Sequence, residues 1–464
     1  MRARTGCTGL DTARIVQSGD DAAVTDVRRV VVIAAPGQRA CHRLVARRRD
    51  HAAVLADVVA PGIAISFDDP PSRPRPSLPA LDVAVVTETY PPDVNGVAVT
   101  AARAVDGLRA RGHRLQLVRP RRAGDATGPD DLLVPGLPLP GQQGVQMGLP
   151  AMRTLLRQWT LQRPDLVHLV TEGPLGWSAL RAAERLGLPV VSDFRTNFHA
   201  YSGHYRIGWL RRPIGAYLRQ FHNRTRCTMV PTRAMQQELE GLGVRRLEVV
   251  ARGVDTQRHA PAHRSEALRR SWGAGAETRV LLCVARLAPE KNITLAYEAF
   301  RRCADEGHDV RLVLVGNGPS RRQLEARCPG VVFAGLRRGA ELSAHYASAD
   351  LFVFPSLTET WGNVVPEAMA SGLPVLAYDC AAAGELVWRG VHGRLAAPHD
   401  EAAFLRHASA LVADPAALRS MGASARDAAR HLDWERVIDR LEAVLQEAAH
   451  SVAIDQAAWR SQTA

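Results

Sequence analysis

A chain of 464 residues is too long for one ordinary hydrophobic core and points to two domains plus a tail. Its composition, 46% hydrophobic and 23% charged, is that of a globular enzyme, and no apolar run reaches the roughly 18 residues that a bilayer span needs, which argues against an integral membrane protein. The 59 basic and 47 acidic side chains leave a net charge of +12, so polyanionic partners qualify: nucleic acid, anionic lipid or a phosphorylated substrate.

The excess is mostly arginine scattered along the chain. It comes without an RNP-type aromatic motif, zinc-finger spacing or basic-zipper heptads, which speaks against nucleic acid. The seven cysteines, Cys7, Cys41, Cys227, Cys283, Cys303, Cys328 and Cys380, are odd in number and contain no C-x-x-C pair, as expected of a reduced compartment. The basic start Met1-Arg2-Ala3-Arg4 is not followed by an apolar signal core, so no secretory peptide is expected.

Residues 1–80 carry arginine clusters, one plausible strand from Val30 to Ala34 and the proline-rich end Pro70 to Pro76. They read as a flexible N-terminal extension, or equally as an upstream start without function. Residues 81–258 open with a strand at Leu81–Val86, a Pro/Asn/Gly loop, a helical pattern Val97, Ala101, Val105, Leu108 and a strand at Leu115–Val118. Further strands follow at Val167–Val170, Pro189–Val191 and Thr228–Val230, which is βαβ grammar for a parallel sheet. The polar stretch His259–Gly275 reads as a connection. Residues 276–433 repeat the pattern with strands at Val280–Val284, Arg311–Val315, Val331–Phe333, Leu351–Phe354 and Pro374–Ala377. A last helical pattern, within residues 434–450, crosses back to the first unit. The fold class is therefore α/β with two Rossmann-like units facing across a cleft, where ligands bind beyond the carboxyl ends of the strands.

In the first unit, Gly96, within Pro91 to Val97, lets backbone amides approach a phosphate or sugar. The polar and aromatic loop Asp193 to Tyr201, with Arg195 and His199, suits a sugar or is simply solvated. Residues 205–226 place Ile207, Leu210, Ile214, Leu218 and Phe221 at helical spacing among arginines. Such a helix rests on anionic lipid or packs as an ordinary crossover on its own sheet, the commoner case. No Asp-x-Asp is present to grip a metal-bound nucleotide, and the histidines lack metal-ligand spacing, so no metal is expected.

In the second unit, Arg286 and Lys291 share a loop where two cations suit a diphosphate or a solvated surface. Gly316-Asn317-Gly318-Pro319 has half a dinucleotide fingerprint, but Pro319 and a missing third glycine disfavour NAD. Glu359 and Glu367 lie eight residues apart across a strand-to-helix turn. The backbone amides of Asn363, Val364 and Val365 between them form a phosphate site at a helix start.

Four separated motifs, the Pro91 to Val97 loop, the Arg286/Lys291 loop, Gly316-Asn317-Gly318-Pro319 and the Glu359-x7-Glu367 spacing, in this order over about residues 81–447, resemble retaining glycosyltransferases of family 4 with the GT-B fold. The Asn95-Gly96-Val97 start is similar to GDP-mannose-dependent α-mannosyltransferases that act on glycolipids, with sulfoquinovosyltransferases as close relatives. The resemblance implies that Arg286 and Lys291 bind the donor diphosphate, Glu359 the transferred sugar and Glu367 the ribose. It places Gly96, Gly316 and the amides of Asn363 to Val365 along the donor. Arg195 stands where many relatives have a histidine that contacts the sugar, and His199 is a candidate substitute for it. The implied activity is metal-independent front-face transfer of a hexose, mannose above all, from a nucleotide-sugar to a lipid or glycan acceptor. The implied setting is cytoplasmic, peripheral to the inner membrane face. A UDP-sugar-dependent sulfoquinovosyl- or glucosyltransferase and a non-catalytic nucleotide-sugar-binding protein are the alternatives.

Overall fold

The computed structural model describes residues 31–33, 64–66, 79–93, 95–122, 125, 130–138, 146–195 and 211–462. Within residues 1–78, Val31–Ile33 pairs antiparallel with Ala64–Ser66; the flexible extension expected for residues 1–80 otherwise lies outside the described residues. Pro79–Ala464 forms one compact unit with two parallel sheets.

The first sheet is built from β1 (Asp82–Val86), β2 (Arg114–Pro120), β3 (Asp131–Val134), β4 (Leu166–Leu169), β5 (Val190–Asp193), β6 (Cys227–Val230) and β7 (Leu247–Val249), in the order β7-β6-β5-β4-β1-β2-β3. Every pairing is parallel. Helices α1 (Gly96–Ala110), α2 (Pro174–Leu186) and α3 (Arg211–His222) cover its faces. The two-residue period of a strand divides the core: Val83 and Val85 face α1, while Ala84 and Val86 pack with Leu175 and Ala179 of α2. Continuous apolar runs such as Val83–Val86 exist because both faces are buried.

The second sheet contains β8 (Arg279–Val284), β9 (Val310–Val315), β10 (Val332–Gly335), β11 (Leu351–Phe354), β12 (Val375–Tyr378) and β13 (Gly393–Ala396), in the order β10-β9-β8-β11-β12-β13, again all parallel. The short helix α4 (Val364–Ala370) follows β11 and buries Val365, Ala368 and Met369 against Phe352, Phe354 and Val375. A parallel sheet returns each strand in the same direction, so the loops after β8, β9 and β11 all open on one edge.

The chain passes between the lobes twice. After β7 it runs through Arg252 and Gly253 into a 3-10 turn, Pro261–His263, and a helix, Glu266–Ser271, where the sequence suggested only a connection. It returns in α5 (Trp434–Gln462), whose Ile438, Leu441, Val444, Leu445 and Ala448 fill the α1 side of the first core. Arg111 at the end of α1 bonds Glu435 at 2.8 Å and Asp439 at 3.0 Å on α5. The two passages touch: Val254 N donates to Leu432 O at 2.9 Å, and Gly253 packs so closely on Trp434 that a Cβ would come within 2.8 Å of its ring.

Helix α3 packs on its own sheet, as the commoner of the two readings expects. Its Leu218 and Phe221 are buried in the core of the first lobe, so within Arg211–His222 it is a crossover helix that presents Arg212 and Arg219 outward. Residues 205–210 of that reading lie outside the described residues. The strands β3, β7 and β13 were not foreseen, because they are short and carry mixed apolar and polar patterns at or near the sheet edges.

Candidate functional site

Adjacent strands β8 and β11 deliver the charged residues of the second lobe. Beyond β8 the loop makes a 3-10 turn, Pro289–Lys291, and Asn292 adopts a left-handed φ of 49° before the helix Ile293–Asp305. Arg286 pairs with Glu290, whose side chain is fully buried. Burial raises the Glu290 carboxyl, but its own amide, Arg286 and Lys291 outweigh that and hold it below the usual range. Lys291 Nζ reaches across to Glu359 Oε1 in the loop after β11, and Ser356 Oγ donates to the same oxygen at 3.0 Å. Two residues chosen from separate motifs therefore form one ion pair. Glu290 and Ser356 escaped the sequence reading, although the four-residue spacing from Arg286 to Glu290 in a tight turn was a usable signal.

Gly316 and Gly318 shape this loop from behind. A Cβ on Gly316 would lie 1.9 Å from Ala285 O and one on Gly318 2.3 Å from Leu287 O, and Gly316 has a φ of 140°. Leu287 N donates to Asn317 O at 3.0 Å, so the turn at residues 316–319 sets the path of the backbone that carries Arg286.

After β11, Gly362 takes a φ of 89° and turns the chain into α4. Asn363 is the N-cap residue and makes no side-chain cap bond. One expectation needs correction: the Val365 amide is not open to a phosphate, because it already donates to Gly362 O at 3.1 Å, and its side chain is buried in the core. The tight turn at Gly362 consumes it. Asn363 and Val364 keep their place at the helix start. Glu367 lies in the first turn of α4 and accepts from Tyr346 Oη at 2.9 Å. Burial lifts its carboxyl to about 7, against the opposing pull of Tyr346 and of Arg258 from the linker.

The facing loops of the first lobe are tightly braced. Asn95 Oδ1 caps α1 by accepting from Ala98 N at 2.9 Å, and its Nδ2 donates to Thr89 Oγ1 at 2.7 Å. Thr89 in turn bonds Asp93, which also accepts from Arg122 at 2.6 Å. Gly96 meets the other lobe here, since a Cβ on it would lie 3.2 Å from Asn363 Nδ2. Arg195 turns its guanidinium back onto Asp193, with Nε donating at 2.8 Å, and His168 Nε2 lies 2.9 Å from the same carboxylate. Burial raises the Asp193 carboxyl, yet Arg195 and His168 prevail and hold it far below the usual range. The Arg195 carbonyl accepts from Thr360 Oγ1 at 3.1 Å, which ties this loop to the residue beside Glu359. Buried Arg252 of the linker lies near both. Burial and the neighbouring Arg195 lower its guanidinium to about 9, while Asp193 and Glu359 oppose them. His199 lies outside the described residues.

Arg286, Lys291 and Glu359 thus stand on neighbouring loops at one sheet edge, with Glu367 in the first turn of α4 and Gly96 against Asn363. Two cations and an acceptor carboxylate can take a phosphorylated, hydroxyl-rich molecule: the cations offset oxyanion charge and the carboxylates bind hydroxyls.

Residues 94–258 match the family described as Glycosyltransferase Family 4, and residues 278–414 the one described as Glycosyl transferases group 1. The chain is 36% identical to a GDP-mannose-dependent alpha-mannosyltransferase of Mycobacterium tuberculosis over 66% of its own length and 81% of that protein. It is 31% identical to one of the same name from Corynebacterium glutamicum, over 81% and 90%. Among solved structures, Anabaena HepE in complex with UDP and glucose superposes with a TM-score of 0.63 at 20% identity, covering 79% of this chain and 99% of that one. WaaG, a glycosyltransferase involved in lipopolysaccharide biosynthesis, gives 0.61 at 19%, covering 78% and 99%.

Proposed function

Because this chain belongs to glycosyltransferase family 4, and is a hexosyltransferase of the GT-B fold, we propose that it moves mannose from GDP-mannose to a lipid or glycan acceptor with retention of configuration. The observation that carries this reading is the convergence of Arg286, Lys291 and Glu359 from neighbouring strands, opposite Gly96. The names of the mannosyltransferase relatives support the choice of donor.

In this mechanism Arg286 and Lys291 hold the diphosphate, Glu359 the sugar hydroxyls and Glu367 the ribose. The bond from the anomeric carbon to the diphosphate oxygen breaks, and the bond to the acceptor oxygen forms on the same face. The acceptor proton passes to the departing diphosphate. Positive charge on Arg286 and Lys291 stabilises the anion that grows there, so no metal is required by the proposed step. Among the described residues no helix is long and apolar enough to cross a membrane. The outward arginines of α3 and the net charge of +12 support attraction to an anionic membrane surface, and a cytoplasmic, peripheral location belongs to the same reading.

A thermal-shift panel of GDP-mannose, UDP-sugars and ADP-sugars tests the donor. At about 100 times its Kd, GDP-mannose stabilises the fold by about 2.7 kcal/mol, whatever the acceptor is. A shift with a UDP-sugar and none with GDP-mannose would reassign it.

A further inference from the structure

A helix at Arg233–Gly241 follows β6 in the first lobe, and a helix at Ala381–Leu386 follows β12 in the second. Each starts at the carboxyl edge of its sheet, and the two meet across the cleft, where Glu385 Oε1 accepts from the Arg233 backbone amide at 2.9 Å. The lobes therefore share a further direct bond beside the Thr360–Arg195 bond and the Gly96–Asn363 contact.

The second lobe supplies what the first-lobe helix lacks. Thr232 caps that helix, its Oγ1 accepting from Met235 N at 3.0 Å, but the first turn contains no acidic residue and begins with Arg233. The first four amides of a helix have no partner within it and carry the positive end of the dipole, so a carboxylate there is favourable. Here the carboxylate comes from the other lobe, 152 positions along the chain. Such a bond exists only while the lobes are together, so it favours the closed arrangement over the open one.

The helix that carries Glu385 is tied in turn to the loop of Glu359. Its first residue, Ala381, has a left-handed φ of 48°, a conformation that alanine resists and that the surrounding contacts must impose. The next amide, Ala382 N, donates to Trp361 O at 2.8 Å, two residues beyond Glu359. Cys380, Ala381 and Ala383 line a cavity together with Ser356, Glu359 and Trp361. Ala382, Ala383 and Val387 anchor the helix in the core of the second lobe. One end of this six-residue helix thus walls the cavity beside Glu359, and the other reaches the first lobe.

We propose that Glu385 is a positioning residue that couples donor binding to closure of the lobes: the loop of Glu359 sets the helix Ala381–Leu386, and Glu385 at its far end caps the first-lobe helix as the cleft closes. This rests on the reading of the Glu359 site as the donor site, and holds for any sugar nucleotide that occupies it. A donor held by the second lobe is enclosed only when the first lobe lies against it, and each bond that forms on closing raises the fraction of protein in the tight-binding arrangement. Glu385 does not touch the donor; it acts through the Arg233 amide.

The test uses the full-length protein, with GDP-mannose as the probe and its Kd measured by titration calorimetry. Glu385→Ala should weaken GDP-mannose about fivefold, as expected for a charge-assisted hydrogen bond at an exposed site. Its melting temperature without ligand should stay near the wild-type value, since an exposed pair contributes little to the fold. Glu385→Gln should recover part of the loss, because its amide oxygen still accepts from Arg233 N but brings no charge to the helix end. The bond is also tested from its other side. Arg233 is the first helical position, where proline fits, and Thr232 before it already has the extended backbone, φ −137° and ψ 156°, that a following proline requires. Arg233→Pro therefore deletes the N–H and keeps the helix. Compared with Arg233→Ala, which removes the side chain and keeps the amide, it should weaken GDP-mannose about fivefold, and in the Glu385→Ala background it should add nothing. Wild-type donor affinity in Glu385→Ala, or additive effects of Glu385→Ala and Arg233→Pro, would overturn the assignment. If Glu385→Ala melts lower than wild type, the comparison of Arg233→Pro with Arg233→Ala decides alone, and equal affinities in that pair sink the proposal. Failure of GDP-mannose to bind wild type counts instead against the donor reading, and the series then runs with the sugar nucleotide that does bind.

Discussion

Lys291 and Glu359 stand 68 positions apart in sequence and in ion-pair contact in the fold, each side chain less than 15% exposed. Their attraction is worth more than that of a surface pair, because little water screens it. Glu359→Gln should destabilise the protein by about 3 kcal/mol, less if Ser356 reorients, and a double-mutant cycle with Lys291→Met should show coupling well above the experimental error. Additive effects would show that the pair contributes nothing. Arg286→Ala should lower kcat about a hundredfold and leave acceptor KM nearly unchanged, since the growing leaving-group charge loses its partner. An acceptor KM effect alone would remove Arg286 from this role. At this scale the charged candidates were legible because arginine, lysine and glutamate after a buried strand are conspicuous. Glu290, Ser356 and Arg252 were not, since their meaning lies in partners that only folding brings near. The Val365 amide failed for a related reason: sequence spacing marks a helix start but does not say which N–H the preceding turn consumes.

At the scale of the element, the turn after β9 supports the loop after β8. Gly316→Ala would press a Cβ into the Ala285 carbonyl from a backbone conformation that alanine resists, and both contact groups are main chain, so neither can simply swing aside. The expected cost is about 2 kcal/mol or more of stability, together with a higher KM for the donor and a smaller change in acceptor KM. A variant with wild-type melting and donor KM would mean that the loop path does not depend on this turn. The packing role of Gly316 and Gly318 follows from contacts made by strand neighbours. Strands with unbroken apolar runs, such as Leu351–Phe354, were plain in the sequence. The edge strand β3 was not: Asp131–Val134 is only partly buried and lacks a clear period.

At the scale of the whole molecule, three carboxyl groups with raised values give stability a definite pH dependence. Glu88 and Glu367 are lifted to about 7 and Glu172 to about 8, so the folded chain binds more protons than the unfolded one between about pH 4.5 and 8. Their contribution is fully present below the ordinary carboxyl range and is lost as pH rises through those values. Denaturant midpoints should fall by an amount equivalent to about 1–3 kcal/mol from pH 5 to 8, and Glu172→Gln should flatten part of that slope. Asp193 acts in the opposite sense and in another window, since its stabilisation is lost only in strong acid. Midpoints that are level or rising from pH 5 to 8 would contradict the account. The two-sheet plan could be read in advance because βαβ grammar is written locally. The packing of α5 on α1 could be guessed only as a return, since its partners lie more than 300 residues upstream.

The two chain passages between the lobes run side by side and are fastened to one another by the Val254–Leu432 bond and the seat of Gly253 on Trp434. Two attachments at one place act as the spine of a book: they resist twisting and sliding of the covers and leave a single easy motion, opening at the fore-edge. The Thr360–Arg195 bond and the Gly96–Asn363 contact are where the covers touch. Any molecule that enters must part those contacts, and any that leaves must wait for them to part again, so the pace of turnover is tied to how stiffly this spine is bound.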